Sequence, residues 1–140
     1  MNYKVYFQRP LAPDELLGHA DYDGKIYESR LGPDKYIGRV EVDTGKIYEA
    51  RLGPDKHVGQ VELSSGKVYR HKPLAADEYL GQVDSNGNFY QQKAFAPDKR
   101  VGSITPMPSV ALAGAAFMLL VLPAVAEEEA KEKKDKPGKK

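Results

Sequence analysis

Two residue series with side chains suited to ligand binding recur at a fixed interval of 21 residues. The first is a tyrosine series: Tyr6, Tyr27, Tyr48, Tyr69 and Tyr90. The second is a basic series, with each member three positions after a tyrosine: Arg9, Arg30, Arg51, Lys72 and Lys93. Because every candidate has equivalents in the other copies, the spacing indicates one small unit repeated five times rather than a lone catalytic residue.

The tyrosine series could form an aromatic collar if the copies are arranged in a ring. Rings at one height would offer stacking surfaces to an acyl chain, a sugar or a peptide. The pattern favours the alternative, in which each ring covers a neighbouring strand glycine and packs the small core.

The basic series could form a ring of positive charge. Near a bilayer such a ring attracts anionic lipid headgroups, at ~1 kcal/mol per residue. The pattern favours ion pairing over lipid binding, although the two are compatible. The candidate partners are acidic residues of the turns and strands: Asp14, Asp34, Asp55, Asp77, Asp98, Glu41, Glu62 and Asp84.

The sequence offers little other site chemistry. Without cysteine it has no disulfide, thiolate metal site or thiol nucleophile. His19, His57 and His71 occupy three different positions of the repeat, so we expect no metal site, no cofactor and no enzymatic activity. The 21 basic and 20 acidic residues nearly cancel, which argues against a nucleic-acid partner.

The repeat predicts a chain of hairpins. Its units are 3–23, 24–44, 45–65, 66–86 and 87–104, each with two short stretches rich in Val, Ile and Tyr. Tight turns such as Asp43-Thr44-Gly45 alternate with proline turns such as Gly32-Pro33-Asp34, and both are too short for a parallel crossover. The predicted fold class is all-β, an antiparallel meander of about ten strands closed into a shallow symmetric barrel. A stacked hairpin solenoid is the alternative.

A glycine interrupts the second strand of every unit: Gly18, Gly38, Gly59, Gly81 and Gly102. Apolar residues lie one position before it and two after it, as in Ile37 and Val40, and a regular strand would place these on opposite faces. A bulge at the glycine would let both point inward, so these positions predict a strongly curved ring.

Tandem hairpins with the motifs G-K-[IV]-Y and P-D-K-x-[IV]-G resemble those of the β-flower proteins. That family consists of small, shallow, radially symmetric barrels, some of which are joined to a membrane segment. The resemblance covers residues 3–104 and implies a closed barrel with a narrow, largely apolar axial channel. It implies no catalytic residues.

The carboxyl end carries a run without charge, SVALAGAAFMLLVLPAVA at Ser109–Ala126. As a helix it would be ~27 Å long, close to the ~30 Å hydrocarbon core of a bilayer. The sequence therefore predicts a barrel domain at 1–105, a transmembrane helix at 106–126 and a disordered charged tail at 127–140. A helix packed on the barrel or plugging it is the alternative.

These features predict a single-pass membrane protein with its barrel on the cytoplasmic side, although the tail lysines favour the opposite orientation. The expected function is that of a non-enzymatic, membrane-anchored module that binds a lipid, an acyl chain or a partner protein at the membrane surface. One alternative is a structural protein that forms homo-oligomers and has no small ligand. Another is an envelope-facing module that binds carbohydrate.

Overall fold

The protein forms a closed barrel of antiparallel strands. A computed structural model of the chain describes residues 2–135, with side chains described for residues 2–132. Strands that are neighbours in sequence pair with each other, and the first pairs with the last, with Val5 opposite Ile104. The ten strands are β1 (Asn2–Phe7), β2 (Glu15–Asp21), β3 (Lys25–Glu28), β4 (Lys35–Val40), β5 (Lys46–Glu49), β6 (Lys56–Val61), β7 (Lys67–Arg70), β8 (Glu78–Val83), β9 (Asn88–Lys93) and β10 (Ala96–Thr105). The predicted closed barrel is confirmed, and the solenoid alternative is wrong.

The hairpins give the barrel two different ends. At the turn end, which comprises residues 22–24, 41–45, 62–66 and 84–87, tight turns join one unit to the next. Each of these turns contains a glycine with positive φ, such as Gly45 at 83°, whose N–H donates to the oxygen of Glu41 at 2.8 Å. At the loop end, which comprises residues 8–14, 29–34, 50–55, 71–77 and 94–95, the connections within each unit extend beyond the strands.

A bulge lies beside the glycine in the second strand of each unit, as the sequence predicts. In the β3–β4 pair the register shifts between Ile26, which lies opposite Gly38, and Tyr27, so Ile37 has no partner. Equivalent shifts occur in the pairs β1–β2, β5–β6, β7–β8 and β9–β10. The extra residue lets both Ile37 and Val40 pack against the core.

The apolar segment forms a helix that lies along the barrel axis. It is α-helical over Val110–Ala116 (α1), π-helical over Phe117–Val121 and α-helical again over Leu122–Asp135 (α2). Helix α1 contacts β2, β4, β6 and β8, and the π-helical part contacts β1, β2 and β10. The buried side chains of the helix belong to the same hydrophobic cluster as the inward side chains of the strands.

The helix fits against the glycines of the strands. A Cβ on Gly38 would lie 2.8 Å from Leu119 Cδ1, and a Cβ on Gly81 would lie 2.9 Å from Phe117 Cζ. Gly59 faces the helix in the same way. The strands lack side chains where the helix requires space, so the barrel wall and the helix form one close-packed unit.

The position of the helix changes two expectations. Side chains of the helix fill the axial channel that the family resemblance implies, so residues 1–105 and 106–126 share one core instead of forming separate parts. The segment Val110–Glu132 is long and apolar enough to cross a membrane, with a mean hydropathy of 2.1 over its most apolar 18-residue window. However, 61 % of its most apolar stretch is buried inside the protein, which corresponds to the plugging alternative.

The helix continues past the apolar run. Residues 127–135, which the sequence predicts to be disordered, are helical, and residues 136–140 lie outside the described part of the chain. The prediction of disorder is wrong for 127–132, although these residues lie beyond the hydrophobic core. Ala, Glu and Lys are strong helix formers, and the buried turns before them supply the nucleus that an isolated helix lacks.

Candidate functional site

The five predicted tyrosines lie on the outer wall of the barrel. The residue before each of them points into the core and is fully buried: Val5, Ile26, Ile47, Val68 and Phe89. Because side chains alternate along a strand, the tyrosines face outward, and all five are half-buried. Gly38, Gly59 and Gly81 face the helix, and the outward rings do not pack the core as the favoured alternative expects.

The tyrosines pack on their own neighbours. Tyr27 stacks on His19 with ring centroids 4.8 Å apart. Tyr48 lies 5.4 Å from the ring of His57 and has the guanidinium carbon of Arg39 4.2 Å above its face. Among the described residues, no ring contact joins two members of the series. The structure therefore separates the tyrosines into local clusters and forms no shared collar.

The turn aspartates link neighbouring hairpins. Asp55 Oδ2 accepts a hydrogen bond from Arg39 Nε at 2.9 Å. Asp98 Oδ2 accepts one from the hydroxyl of Tyr79 at 3.4 Å. Burial and the charge of Asp98 raise the pKa of Tyr79, so its hydroxyl keeps the proton that it donates. These aspartates act between hairpins rather than as a carboxylate cluster.

The basic series lies at the loop end, where two of its members pair within their own strand and loop. Arg30 Nε is 3.3 Å from Glu28 Oε1, and Arg51 Nη2 is 2.9 Å from Glu49 Oε1. The side chains of both pairs are about half exposed. Each pair therefore contributes little to stability but offsets one positive charge of the ring.

The other members of the basic series differ from one another. Lys72 Nζ is 3.5 Å from Glu78 Oε1 on the neighbouring strand. Lys93 Nζ is 3.2 Å from Glu129 Oε2, so its partner comes from helix α2 and not from the barrel. Arg9 makes none of the ion pairs found among residues 2–132.

The acidic residues expected to pair with the basic series have other partners. Glu41 lies at the turn end and accepts from Thr44 Oγ1 at 2.9 Å, and Asp84 accepts there from the backbone N–H of Asn88 at 3.0 Å. Glu62 also lies beside a tight turn. Ion pairing is found, but with other residues. Glu41, Glu62 and Asp84 lie at the opposite end of the barrel from the basic series, whereas a turn aspartate such as Asp55, at the loop end, pairs with Arg39.

Apolar side chains at the tips of the loops form a feature that sequence reasoning missed. We call them the tip residues: Leu11, Leu31, Leu52, Leu74 and Phe95. Their exposed fractions are 104–108 %, so the rest of the protein does not shield them from water. Each follows a member of the basic series by one or two positions, and this repeated basic–apolar pairing is the signal that could have identified them.

Three tip residues also have an unfavourable backbone conformation. Leu11, Leu74 and Phe95 have φ of 56°, 63° and 61°. This left-handed region costs an L-residue ~1–2 kcal/mol, and Gly or Asn adopts it more easily. A residue that is unfavourable in both conformation and solvation is a candidate for a functional role rather than a role in folding.

The loops surround the emerging end of the helix and leave clefts beside it. One cleft of about 380 Å³ is lined by Leu16, Leu119 and Glu127, among others. Another of about 150 Å³ includes Lys93 and Glu128 in its lining. Acidic residues of α2 thus stand at the centre of the loop end, surrounded by the basic series.

The described residues offer no group of three or more His, Cys, Asp or Glu side chains that could hold a metal ion. Comparisons of this chain with protein families, with curated proteins and with solved structures find no match. Its function therefore has to be argued from its own surface, and the loop end is the surface that its folding does not explain.

Proposed function

We propose that the protein is a non-enzymatic module that docks on a membrane surface with its loop end and inserts the tip residues into the bilayer interface. The observation that carries this proposal is the complete exposure of an apolar side chain at the equivalent tip of all five loops. The tips stand apart from one another and form no contiguous patch, but five equivalent apolar side chains at one end of the barrel can meet one flat surface together.

Insertion of the tips would offset the cost of exposing them. Moving one Leu or Phe side chain out of water contributes ~1.5–3 kcal/mol. Because all the tips stand on one closed barrel, insertion of the first raises the effective concentration of the others at the same surface. The basic series adds less, because Arg30, Arg51, Lys72 and Lys93 are ion-paired.

A ligand in the barrel axis has less support than a ligand at the loop end. A lipid or acyl chain in the axis would have to displace buried helix side chains such as Leu112 and Phe117. The lipid contact is therefore assigned to the surface. Membership of the β-flower family is part of the proposal and is supported by the hairpin repeat and the closed ring.

A single-pass arrangement is the second proposal, favoured by the mean hydropathy of 2.1 over the most apolar 18-residue window of Val110–Glu132. In that arrangement the helix leaves the barrel and spans the bilayer, with the barrel on the cytoplasmic side. In the docking arrangement the helix stays in the barrel and the protein is peripheral. Alkaline carbonate would release the peripheral protein from isolated membranes and leave the single-pass protein in the pellet.

Vesicle flotation of the full-length protein tests the docking proposal, with vesicles of phosphatidylcholine and phosphatidylglycerol. The full chain is required because the helix is part of the core. The variant L11N/L31N/L52N removes three tips, and Y22N/V42N/L63N removes three exposed apolar side chains from the turn end as a matched control. We expect the wild type and the turn-end variant to float and the loop-end variant to lose more than tenfold in binding. Equal binding by the two variants, or no flotation of the wild type, would refute the proposal.

The same variants address the remaining alternatives. If the tips serve a structural role between copies of this chain, the wild type will form an oligomer without vesicles, and L11N/L31N/L52N will be monomeric by light scattering. Carbohydrate binding through the tyrosines has less support, because rings such as Tyr27 and Tyr48 already pack on neighbouring side chains.

A further inference from the structure

Positive charge is distributed unequally around the loop end. In the second and third repeats a glutamate directly follows the tyrosine and pairs with the basic residue two positions later, as Glu28 does with Arg30. In the fourth repeat Glu78 lies 3.5 Å from both Arg70 and Lys72. The barrel itself therefore offsets Arg30 and Arg51 and partly offsets Arg70 and Lys72, whereas Lys35 and Lys56 are in none of the ion pairs among residues 2–132.

The junction between the fifth and first repeats lacks this compensation. The position of the paired glutamate is occupied by Gln91 in the fifth repeat and by Phe7 in the first. The fifth repeat instead adds Arg100, whose guanidinium bonds only to the neutral side chains of Asn88, at 3.0 Å, and Gln8 among the described residues. Four cations are thus concentrated at one side of the ring: Arg9, Lys93, Lys99 and Arg100.

A cleft of about 150 Å³ opens at this junction. We call it the junction cleft. Lys93 and Lys99 stand on its barrel side, and Val101 and Val125 provide apolar lining. Three glutamates of helix α2 also line it, Glu128, Glu129 and Glu132, so an anionic group must displace carboxylates to reach the lysines. Lys93 Nζ lies 3.2 Å from Glu129 Oε2, so a carboxylate already occupies the position where an anionic group would meet the lysine.

We propose that the junction cleft binds the anionic headgroup of a membrane lipid and that the glutamates of α2 act as its internal competitors. This inference rests on the proposed docking function. The cleft lies at the end that carries the tip residues, beside Phe95, so a headgroup in it would belong to a lipid of the contacted bilayer. Its apolar lining fits the part of a lipid next to the headgroup, and its lysines fit a phosphate.

Repeat symmetry supplies a matched control for the test. K93Q/K99Q removes two positive charges from the junction cleft. K35Q/K56Q removes two exposed lysines at positions equivalent to Lys99 in the second and third repeats, so it changes the net charge by the same amount. Binding of each full-length protein is measured by flotation with vesicles of phosphatidylcholine alone and with vesicles in which one lipid in three is phosphatidylglycerol. Circular dichroism confirms that each variant is folded.

We expect the wild type to prefer the vesicles that contain phosphatidylglycerol. Each junction lysine removed should reduce that preference by about fivefold, whereas K35Q/K56Q should keep most of it. The variant E128Q/E129Q removes negative charge from the cleft instead of positive charge. It should strengthen binding to the anionic vesicles, because these two glutamates no longer compete with the headgroup for the lysines.

The inference fails if K93Q/K99Q and K35Q/K56Q reduce the preference equally, because the effect would then be a general one of net charge. It also fails if E128Q/E129Q weakens binding. A wild type that binds both vesicle types equally would overturn this inference but leave docking through the tips intact. A wild type that binds neither would overturn both.

Discussion

The turn end and the loop end of the barrel are built from the same repeat but differ in whether their surface side chains find partners within the protein. At the turn end, side chains satisfy the backbone and each other, as where Gln60 Nε2 donates to the oxygen of Thr44 at 2.6 Å. At the loop end, apolar side chains such as Leu52 and Leu74 extend fully into water. The turn end is closed largely by its own hydrogen bonds, and the loop end exposes an apolar side chain completely at the tip of every loop.

This difference separates folding from function along each repeat. The strands and their glycines form a wall around the helix, and the turn end joins one unit to the next. Neither task requires an apolar residue at a loop tip. The comparison teaches that fivefold repetition has two results here: it closes a barrel in its middle and places five equivalent apolar side chains at one end.

The largest predicted effect damages the core that both ends share. Phe117 is fully buried and its ring centroid lies 5.4 Å from that of Phe89. We expect F117A to lower the free energy of unfolding by ~3–5 kcal/mol, because it removes a large side chain and leaves a cavity. Urea denaturation measures this loss.

The same substitution at the loop end is the control. Phe95 is fully exposed, so F95A should change the free energy of unfolding by less than ~0.5 kcal/mol. It should nevertheless weaken vesicle binding. Equal losses of stability in F117A and F95A would contradict the assignment of the helix to the core and of Phe95 to the surface.

A glycine substitution at each end should give the next largest effects and compare the ends directly. Gly45 has φ of 83°, and a Cβ there would collide with the carbonyl oxygen of Val61. Gly32 has φ of 87°, but a Cβ there would meet nothing within 4 Å. We expect G45A to destabilise the protein by ~2–3 kcal/mol and G32A by ~1 kcal/mol, measured by urea denaturation. If G32A lowered the free energy of unfolding as much as G45A does, the two ends would not differ in the way described.

The barrel could be predicted because its signals are local. Turn residues such as Gly45 fix the antiparallel connections, and the spacing of Ile37 and Val40 around Gly38 requires a bulge. The place of the helix could not be predicted in the same way. A helix that is apolar on all sides suits a bilayer and a barrel axis equally, and the width of the axis depends on the three-dimensional effect of every bulge together.

The loop end was predicted only in part, for a related reason. The spacing identifies Arg30 and Arg51 as members of a ring, but their partners depend on which groups reach them in space. The repeat by itself predicts no role for the tip residues. Leu31 in the sequence Arg30-Leu31-Gly32 is an ordinary turn neighbour until the structure shows that nothing covers it.

Replacing a single tip residue should move stability and binding in opposite directions. Leu74 has φ of 63°, which Asn tolerates better than Leu. We expect L74N to raise the free energy of unfolding by up to ~1 kcal/mol and to weaken vesicle binding several-fold. Leu31 is not among the residues with positive φ, so L31N should weaken binding similarly without the gain in stability. A loss of stability in L74N would show that the tip has a folding role.

The smallest predicted effect is a pH dependence at the turn end. Burial disfavours the ionised form of Asp84, but hydrogen bonds from Asn88 and Asn86 outweigh burial and lower the pKa of Asp84. The N–H groups of these two residues lie 3.0 Å and 2.9 Å from Asp84 Oδ1. Because its pKa is lower in the folded state, ionised Asp84 stabilises the protein above its unfolded-state pKa of about 3.9 and loses this effect as the pH falls through the folded-state pKa.

The side chain at position 84 does not titrate in D84N, so comparison of this variant with the wild type isolates the contribution of ionised Asp84 to stability. The difference in unfolding free energy between the wild type and D84N should be constant from neutral pH down to about pH 5 and should shrink below about pH 4. Urea denaturation across this range measures the difference. If the difference does not shrink in acid, the carboxylate does not stabilise the turn through its charge. Vesicle binding at neutral pH should be the same in D84N and the wild type, because Asp84 stabilises the turn end and the proposed membrane contact lies at the other end of the barrel.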